Sequence, residues 1–164
     1  MGLRTMKKRR KQGKTDYKLR LGLLKSGIAR IVIRKTNRYI IVQLVESSES
    51  KDKVVIGLSS NDLIKNGWDK KFAGSLKSVP ACYLTGLLFA KKVGNTPVIL
   101  DLGLQRTISG GRIFSVVKGL VDGGVKLKVD EKIFPSEDRL EGKHLKPEVQ
   151  SLIKVVKEKI KNGN

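Results

Sequence analysis

The spacing of apolar residues changes several times along the chain, and each change marks an element. Residues 1–14 have no apolar period and contain Gly2 and Gly13, which predicts a disordered arm that orders on its partner. A helix follows from Thr15, with Asp16 in its first turn, where a carboxylate suits the helix dipole. Tyr17, Leu21 and Leu24 recur at i, i+4 and i+7 as its apolar face; Lys18, Arg20 and Lys25 lie off that face. Ser26-Gly27 stops it. From Ile28 to Arg34 the period falls to two. Ala29, Ile31 and Ile33 make one apolar face, and Ile28, Arg30, Val32 and Arg34 make the other. Thr36-Asn37-Arg38 reads as a turn, Tyr39 to Val45 as a second strand, Glu46 to Lys53 as a polar hairpin loop, and Val54 to Leu58 as a third strand. Such short connections imply an antiparallel meander.

The second half alternates helix and strand. Ser59-Ser60-Asn61-Asp62 offers N-caps for a short helix ending near Gly67, and Trp68 through Lys77 reads as a basic loop. Ser78 and Pro80 open a longer helix to Val93, closed by Gly94, with Leu84, Leu87 and Leu88 buried. Pro97 to Leu102 is nearly continuous in apolar residues, which suits a buried parallel strand. Gly110-Gly111 precedes a helix from Arg112 to Asp122, with Ile113, Val117, Leu120 and Val121 inward. Val125 to Val129 reads as a short edge strand, and residues 130–146 as charged and irregular. Pro147 starts a final helix. Its stripe of Val149, Leu152, Ile153, Val156 and Ile160 requires an apolar surface, on this chain or on a partner. The sum is an α/β fold: a mixed sheet, an antiparallel three-stranded meander followed by α-β-α, layered by helices.

Charge changes this picture from fold to partner. The chain has 164 residues, 35 Lys and Arg against 15 Asp and Glu, and a net charge of +20. The first 38 residues hold fourteen of the basic residues and one acid, Asp16. Charge so concentrated must meet counter-ions, and a nucleic-acid backbone is the leading source. Lys7, Lys8, Arg9, Arg10 and Lys14 on the arm, Arg20 on the helix, Arg30 and Arg34 on the strand, and Lys35, Asn37 and Arg38 at the turn form one expected positive surface. Guanidinium forks bind phosphate bidentately, and lysines add charge. Tyr17 and Tyr39 fall within it; they either stack on unpaired bases or belong to the apolar stripes beneath. Ser59 and Ser60 either offer hydroxyls and a helix start to phosphate or form a plain cap. Gly110-Gly111-Arg112 is like an anion-binding helix start but lacks the spacing of either phosphate loop. The same arm would also suit a basic adaptor that docks on an anionic membrane or an acidic protein.

Catalytic readings find little to work with. Cys82 is the sole cysteine and sits in an apolar helix; His144 is the sole histidine and lies in an irregular segment. The strand and helix order is that of ribonuclease-H-like folds, whose nucleases need converging carboxylates to hold two metals. Asp101 is on a suitable strand, but Ile28 to Arg34 carries no acid, and its arginines would repel a metal pair. No cofactor is called for. Aromatic residues are only 5% of the chain, so the core must rest on Ile, Val and Leu.

Several ordered blocks then point to one family. They are Lys14-Thr15-Asp16-Tyr17, Arg20-Leu21, Leu24-Lys25-Ser26-Gly27, Arg30, Arg34-Lys35-Thr36-Asn37, Ser59-Ser60 and Gly67-Trp68. After these come Pro80 through Leu88, Leu100 through Leu104, Gly111-Arg112-Ile113-Phe114, Lys118-Gly119, Asp122-Gly123-Gly124 and Ile133 through Arg139, with Gly142, His144 and Leu145. From residue 7 to 145 the chain resembles the archaeal and eukaryotic type of large-subunit ribosomal protein eighteen. The resemblance implies a fold of the translational-machinery type, no catalysis and no cofactor. It implies binding to 5S ribosomal RNA, attachment of that RNA to large-subunit RNA in the central protuberance, neighbouring ribosomal proteins, and a cytoplasmic place on the ribosome. The RNA surface it implies runs from Lys7 through Arg10 to Tyr17, Arg20, Arg30, Arg34, Lys35, Asn37 and Arg38, with Ser59 and Ser60. The expected division is an arm (1–14), an RNA-binding α/β domain (15–130) and a C-terminal extension (131–164) containing helix 147–161, a helix that matches none of the family's blocks.

Overall fold

The computed structural model describes residues 8–48 and 51–162; Lys7 and the rest of residues 1–7 lie outside them. A single-turn helix α1 (Lys8–Lys11) leads into α2 (Tyr17–Lys25). Then come β1 (Ala29–Lys35), β2 (Ile40–Ser48) and β3 (Lys51–Ser59), the helix α3 (Val79–Val93), β4 (Val98–Asp101), and α4 (Arg112–Asp122), α5 (Glu137–Glu141) and α6 (Pro147–Asn162). The four strands form one mixed sheet in the order β3-β2-β1-β4. The meander is antiparallel, and β4 lies parallel to β1 with Val32 opposite Asp101.

Two strand expectations change. The described residues of the polar run from Glu46 to Lys53 are ladder rather than loop: Glu46 pairs with Lys53, Ser47 with Asp52 and Ser48 with Lys51. Its polarity reflects a hairpin end that projects into solvent. A register shift at Leu44/Val45 leaves Val55 as the extra residue of a bulge. β4 is an edge strand with its middle half-buried, so its apolar run reflects packing on one face and a neighbour on one side only.

One sheet face carries Ile31, Ile33, Ile40, Val42, Leu44, Leu58 and Val98 against α3 and α4, and these residues with Phe89, Val116, Val117 and Leu120 make the main core. α3 is central, with 12 of its 15 residues buried. Its bounds follow local chemistry: Ser78 caps the start, Pro80 occupies the first turn, and Gly94 ends it at φ 64°. α3 and α4 cross at glycine. A Cβ on Gly86 would stand 2.2 Å from the Val116 carbonyl oxygen, and one on Gly119 would stand 2.2 Å from that of Tyr83. No side chain fits there without separating the helices.

The far side of α3 builds a second core. Leu63, Trp68, Leu76 and Leu84 meet Val149, Ile153, Val156 and Ile160 of α6. The C-terminal stripe is therefore satisfied within the chain. The expected basic loop instead contains the 3-10 helix Lys70–Ser75; Trp68 precedes it, and its Nε1 donates to the Phe72 carbonyl at 3.2 Å.

Three expectations fail on packing. Val125 to Val129 forms no strand; Val125 is buried and Leu127 and Val129 pack on the main core, but the segment joins no ladder among the described residues. α2 buries no residue, and Leu21 is 55% exposed. Its contact side is Tyr17, Arg20, Leu23 and Leu24, all half-buried, because it lies over the polar face of the sheet. Asp16 is the N-cap rather than a first-turn residue, accepting from the Lys18 and Leu19 amides.

Candidate nucleic-acid interface

The polar sheet face is an ion-pair network. Arg30 Nη1 donates to Asp101 Oδ2 at 3.0 Å, and its Nη2 donates to Asp52 Oδ1 at 2.8 Å and Ser47 Oγ at 2.9 Å. Arg34 Nη2 donates to Asp101 Oδ1 at 2.9 Å, and its Nη1 to the Asp101 carbonyl at 2.8 Å. Arg20 closes the chain from α2, donating to Asp52 Oδ2 at 2.8 Å. Two carboxylates thus hold three guanidinium groups. Burial alone would raise Asp52, but hydrogen bonds from Ser47 and Arg20 and the charges of Arg30 and Arg20 outweigh it and hold the carboxyl below its usual value.

This corrects the expected place of Arg30. It is 2% exposed and spent on its two aspartates, so it does not stand on an open surface. A buried charge requires such partners, and here they come from the β2–β3 hairpin and from β4. Arg20 and Arg34 keep 37% of their side chains exposed and face outward at the rim of the network. Gly103, at φ 58°, lets the loop after β4 close over Arg34, whose guanidinium carbon lies 3.0 Å from where a Cβ would stand.

The arm converges on that rim. Lys8, Arg9, Arg10 and Lys14 are all exposed. Arg9 Nε donates to Thr15 Oγ1 at 2.9 Å, and the Lys14 amide donates to the Arg9 carbonyl at 2.9 Å, which folds the arm back toward α2. Arg9, Lys14, Arg20 and Arg34 line one concavity of about 140 Å³. Tyr17 is half-buried and belongs to neither core cluster, whereas Tyr39 packs against the second core.

The β1–β2 turn adds Lys35, Asn37 and Arg38, all exposed. Thr36 Oγ1 donates to the Tyr39 carbonyl at 2.8 Å and accepts from the Tyr39 amide at 2.9 Å, while Lys77 Nζ donates to the Asn37 carbonyl at 2.7 Å. The turn is therefore held rigid from below. Local sequence carries the Thr36 signal; nothing in it signals Lys77, which is 40 positions away.

The serines serve the fold. Ser59 caps the 3-10 helix Ser60–Ile64 in a reciprocal box with Asp62. Ser60 is fully buried and its Oγ accepts from the Ile40 amide at 3.2 Å, so the expectation that it meets phosphate is corrected. Arg112 is exposed at the start of α4, away from the arm concavity and beside Lys35.

No catalytic constellation appears among the described residues, and no group of three or more His, Cys, Asp or Glu could hold a metal there. His144 is exposed. Burial pushes the Cys82 thiol up to about 12, against the opposing charges of Arg112 and Lys35, so it stays an inert core residue. No described helix is long and apolar enough to cross a membrane.

A mixed α/β scaffold mounts exposed cations of the arm and of the β1–β2 turn around its sheet. The family of ribosomal large subunit proteins 60S L5 and 50S L18 matches residues 3–97. The large ribosomal subunit protein uL18 of Methanoregula boonei is 46% identical over 141 residues, covering 84% of this chain and 79% of that protein. Its counterpart in Methanoculleus marisnigri is also 46% identical, covering 84% and 78%, and that of Korarchaeum cryptofilum is 44% identical, covering 84% and 70%. The chain belongs to this ribosomal family, and it is a structural protein of the cytoplasmic ribosome rather than an enzyme.

Proposed function

We propose that the chain binds 5S ribosomal RNA and fixes it to large-subunit RNA in the central protuberance. The observation that carries the reading is the convergence of Arg9, Lys14, Arg20 and Arg34 on one concavity. Lys8 and Arg10 on the arm, the half-buried Tyr17 of α2, and Lys35, Asn37 and Arg38 at the turn extend it; Lys7 lies outside the described residues. Phosphate contacts supply most of the affinity, and RNA shape with a few unstacked bases supplies the preference. Ser59 and Arg30 act behind this surface, one capping and one holding Asp52 and Asp101 in place.

Competition binding tests the reading. The full chain is held at physiological salt with labelled 5S ribosomal RNA. Unrelated duplex RNA of equal length should displace it at least tenfold less well than unlabelled 5S RNA. Equal displacement by both RNAs, or stronger displacement by anionic vesicles, would contradict it.

A further inference from the structure

A second set of cations lies on the other side of the loop that follows β4. Lys35, Arg106, Arg112 and Arg139 line a groove of about 300 Å³, floored by Gly110 and Gly111. These residues come from the end of β1, the β4–α4 loop, α4 and α5, and all four are exposed. Among the described residues, no acid lines the groove. The acids nearest Arg139 in sequence are engaged elsewhere: Asp138 and Glu141 pair with Lys143, and Glu137 lines a separate cleft beside Tyr83.

Among the described residues, none of the four makes an ion pair or a side-chain hydrogen bond. That sets them apart from Arg20, Arg30 and Arg34. Four like charges around one hollow repel one another, and none of them has an ion-pair partner among the described residues. The start of α4 adds to this field, since its N-cap, Gly111, offers no side chain to the first turn. The loop 103–111 separates the two concavities: Gly103 and Leu104 border the arm site, and Arg106 with Ile108 through Gly111 borders this groove.

We propose that this groove is a second RNA-backbone site, gripping phosphates through Arg106, Arg112 and Arg139 with Lys35 shared between the two surfaces. The chain then holds RNA from both sides of one loop. This deepens the proposed RNA-binding reading and rests on it. Three guanidinium groups suit phosphate oxygens better than a lipid surface because they converge in a hollow rather than spreading over a face.

The test is an NMR titration of the full chain with a uridine decamer, alongside salt-dependent binding to 5S ribosomal RNA. The decamer should shift the Gly110, Gly111 and Ile113 amides, and Arg106→Gln/Arg112→Gln/Arg139→Gln should abolish that shift. The triple variant should weaken 5S RNA binding at least tenfold and flatten the log–log salt slope by about 2. Arg112→Gln alone should flatten it by about 0.7. Shifts confined to residues 8–38, with an unchanged slope in the triple variant, would overturn the groove while leaving 5S binding intact. If the parent chain shows no preference for 5S RNA but the decamer still shifts the groove amides, the groove stands and the 5S assignment fails.

Discussion

Arg30 and Arg112 carry the same charge in opposite circumstances. Arg30 is 2% exposed and bridges Asp52 and Asp101, whereas Arg112 is exposed and has no ion pair among the described residues. The first belongs to a network in which two carboxylates bind three guanidinium groups, leaving little net charge on the sheet face. The second belongs to a groove in which four cations face no acid. Position in sequence would favour Arg30, which lies in the densest basic stretch. Availability reverses that order: charge density along a chain measures what the fold must manage, and only the unpaired part remains for a partner. Arg20 and Arg34 stand between the extremes, paired on one side and open on the other.

The largest test of this contrast is stability. Arg30→Ala should cost about 3 kcal/mol in urea unfolding, because Asp52 and Asp101 then keep only the part-exposed Arg20 and Arg34 as partners. A loss below about 1 kcal/mol would mean that the network is not what holds this face together. Next in size is the arm. Replacing Lys8, Arg9, Arg10 and Lys14 by Gln should flatten the salt slope of 5S RNA binding by about 3 while leaving the thermal transition nearly in place. An unchanged slope would move the RNA surface elsewhere. The pH dependence is smaller. The lowered pKa of Asp52 means that its stabilisation is present above its ordinary value of 3.8 and is lost as pH falls through the lower folded value. Asp52→Asn should therefore be less stable than the parent near neutrality and should lose less stability on acidification through that window. Parallel acid unfolding curves for the two chains would contradict the pairing. The smallest effect is Arg112→Gln, which should change unfolding free energy by no more than about 0.5 kcal/mol. A larger loss would show that Arg112, like Arg30, has a structural partner.

What the sequence discloses follows the range of the interactions. Ser78, Pro80 and Gly94 bound α3 by local capping chemistry, so that helix is legible residue by residue. The alternation of Ile31 and Ile33 against Arg30 and Arg34 gives β1, and the stripe from Val149 to Ile160 gives α6. Neither says what covers it. Arg30 reads as a surface cation because its partners are 22 and 71 positions away. Ser60 reads as a phosphate contact because its hydrogen bond reaches back 20 positions to Ile40. Val125 to Val129 has a strand's composition but no strand beside it. The groove is the extreme case: four residues from four elements meet only once the sheet brings the ends of β1 and β4 to one edge. Arg106 and Arg139 carry no local signal at all.

The most direct test of the account is the salt dependence of 5S ribosomal RNA binding by the full chain. If about eight phosphates are neutralised by the open cations of the arm, the turn and the groove, log affinity should fall with log salt at a slope of about −6 to −7. The Arg30→Ala variant, measured where it remains folded, should keep nearly that slope. A parent slope near zero, or a drop of two or more on removing Arg30 alone, would contradict the account.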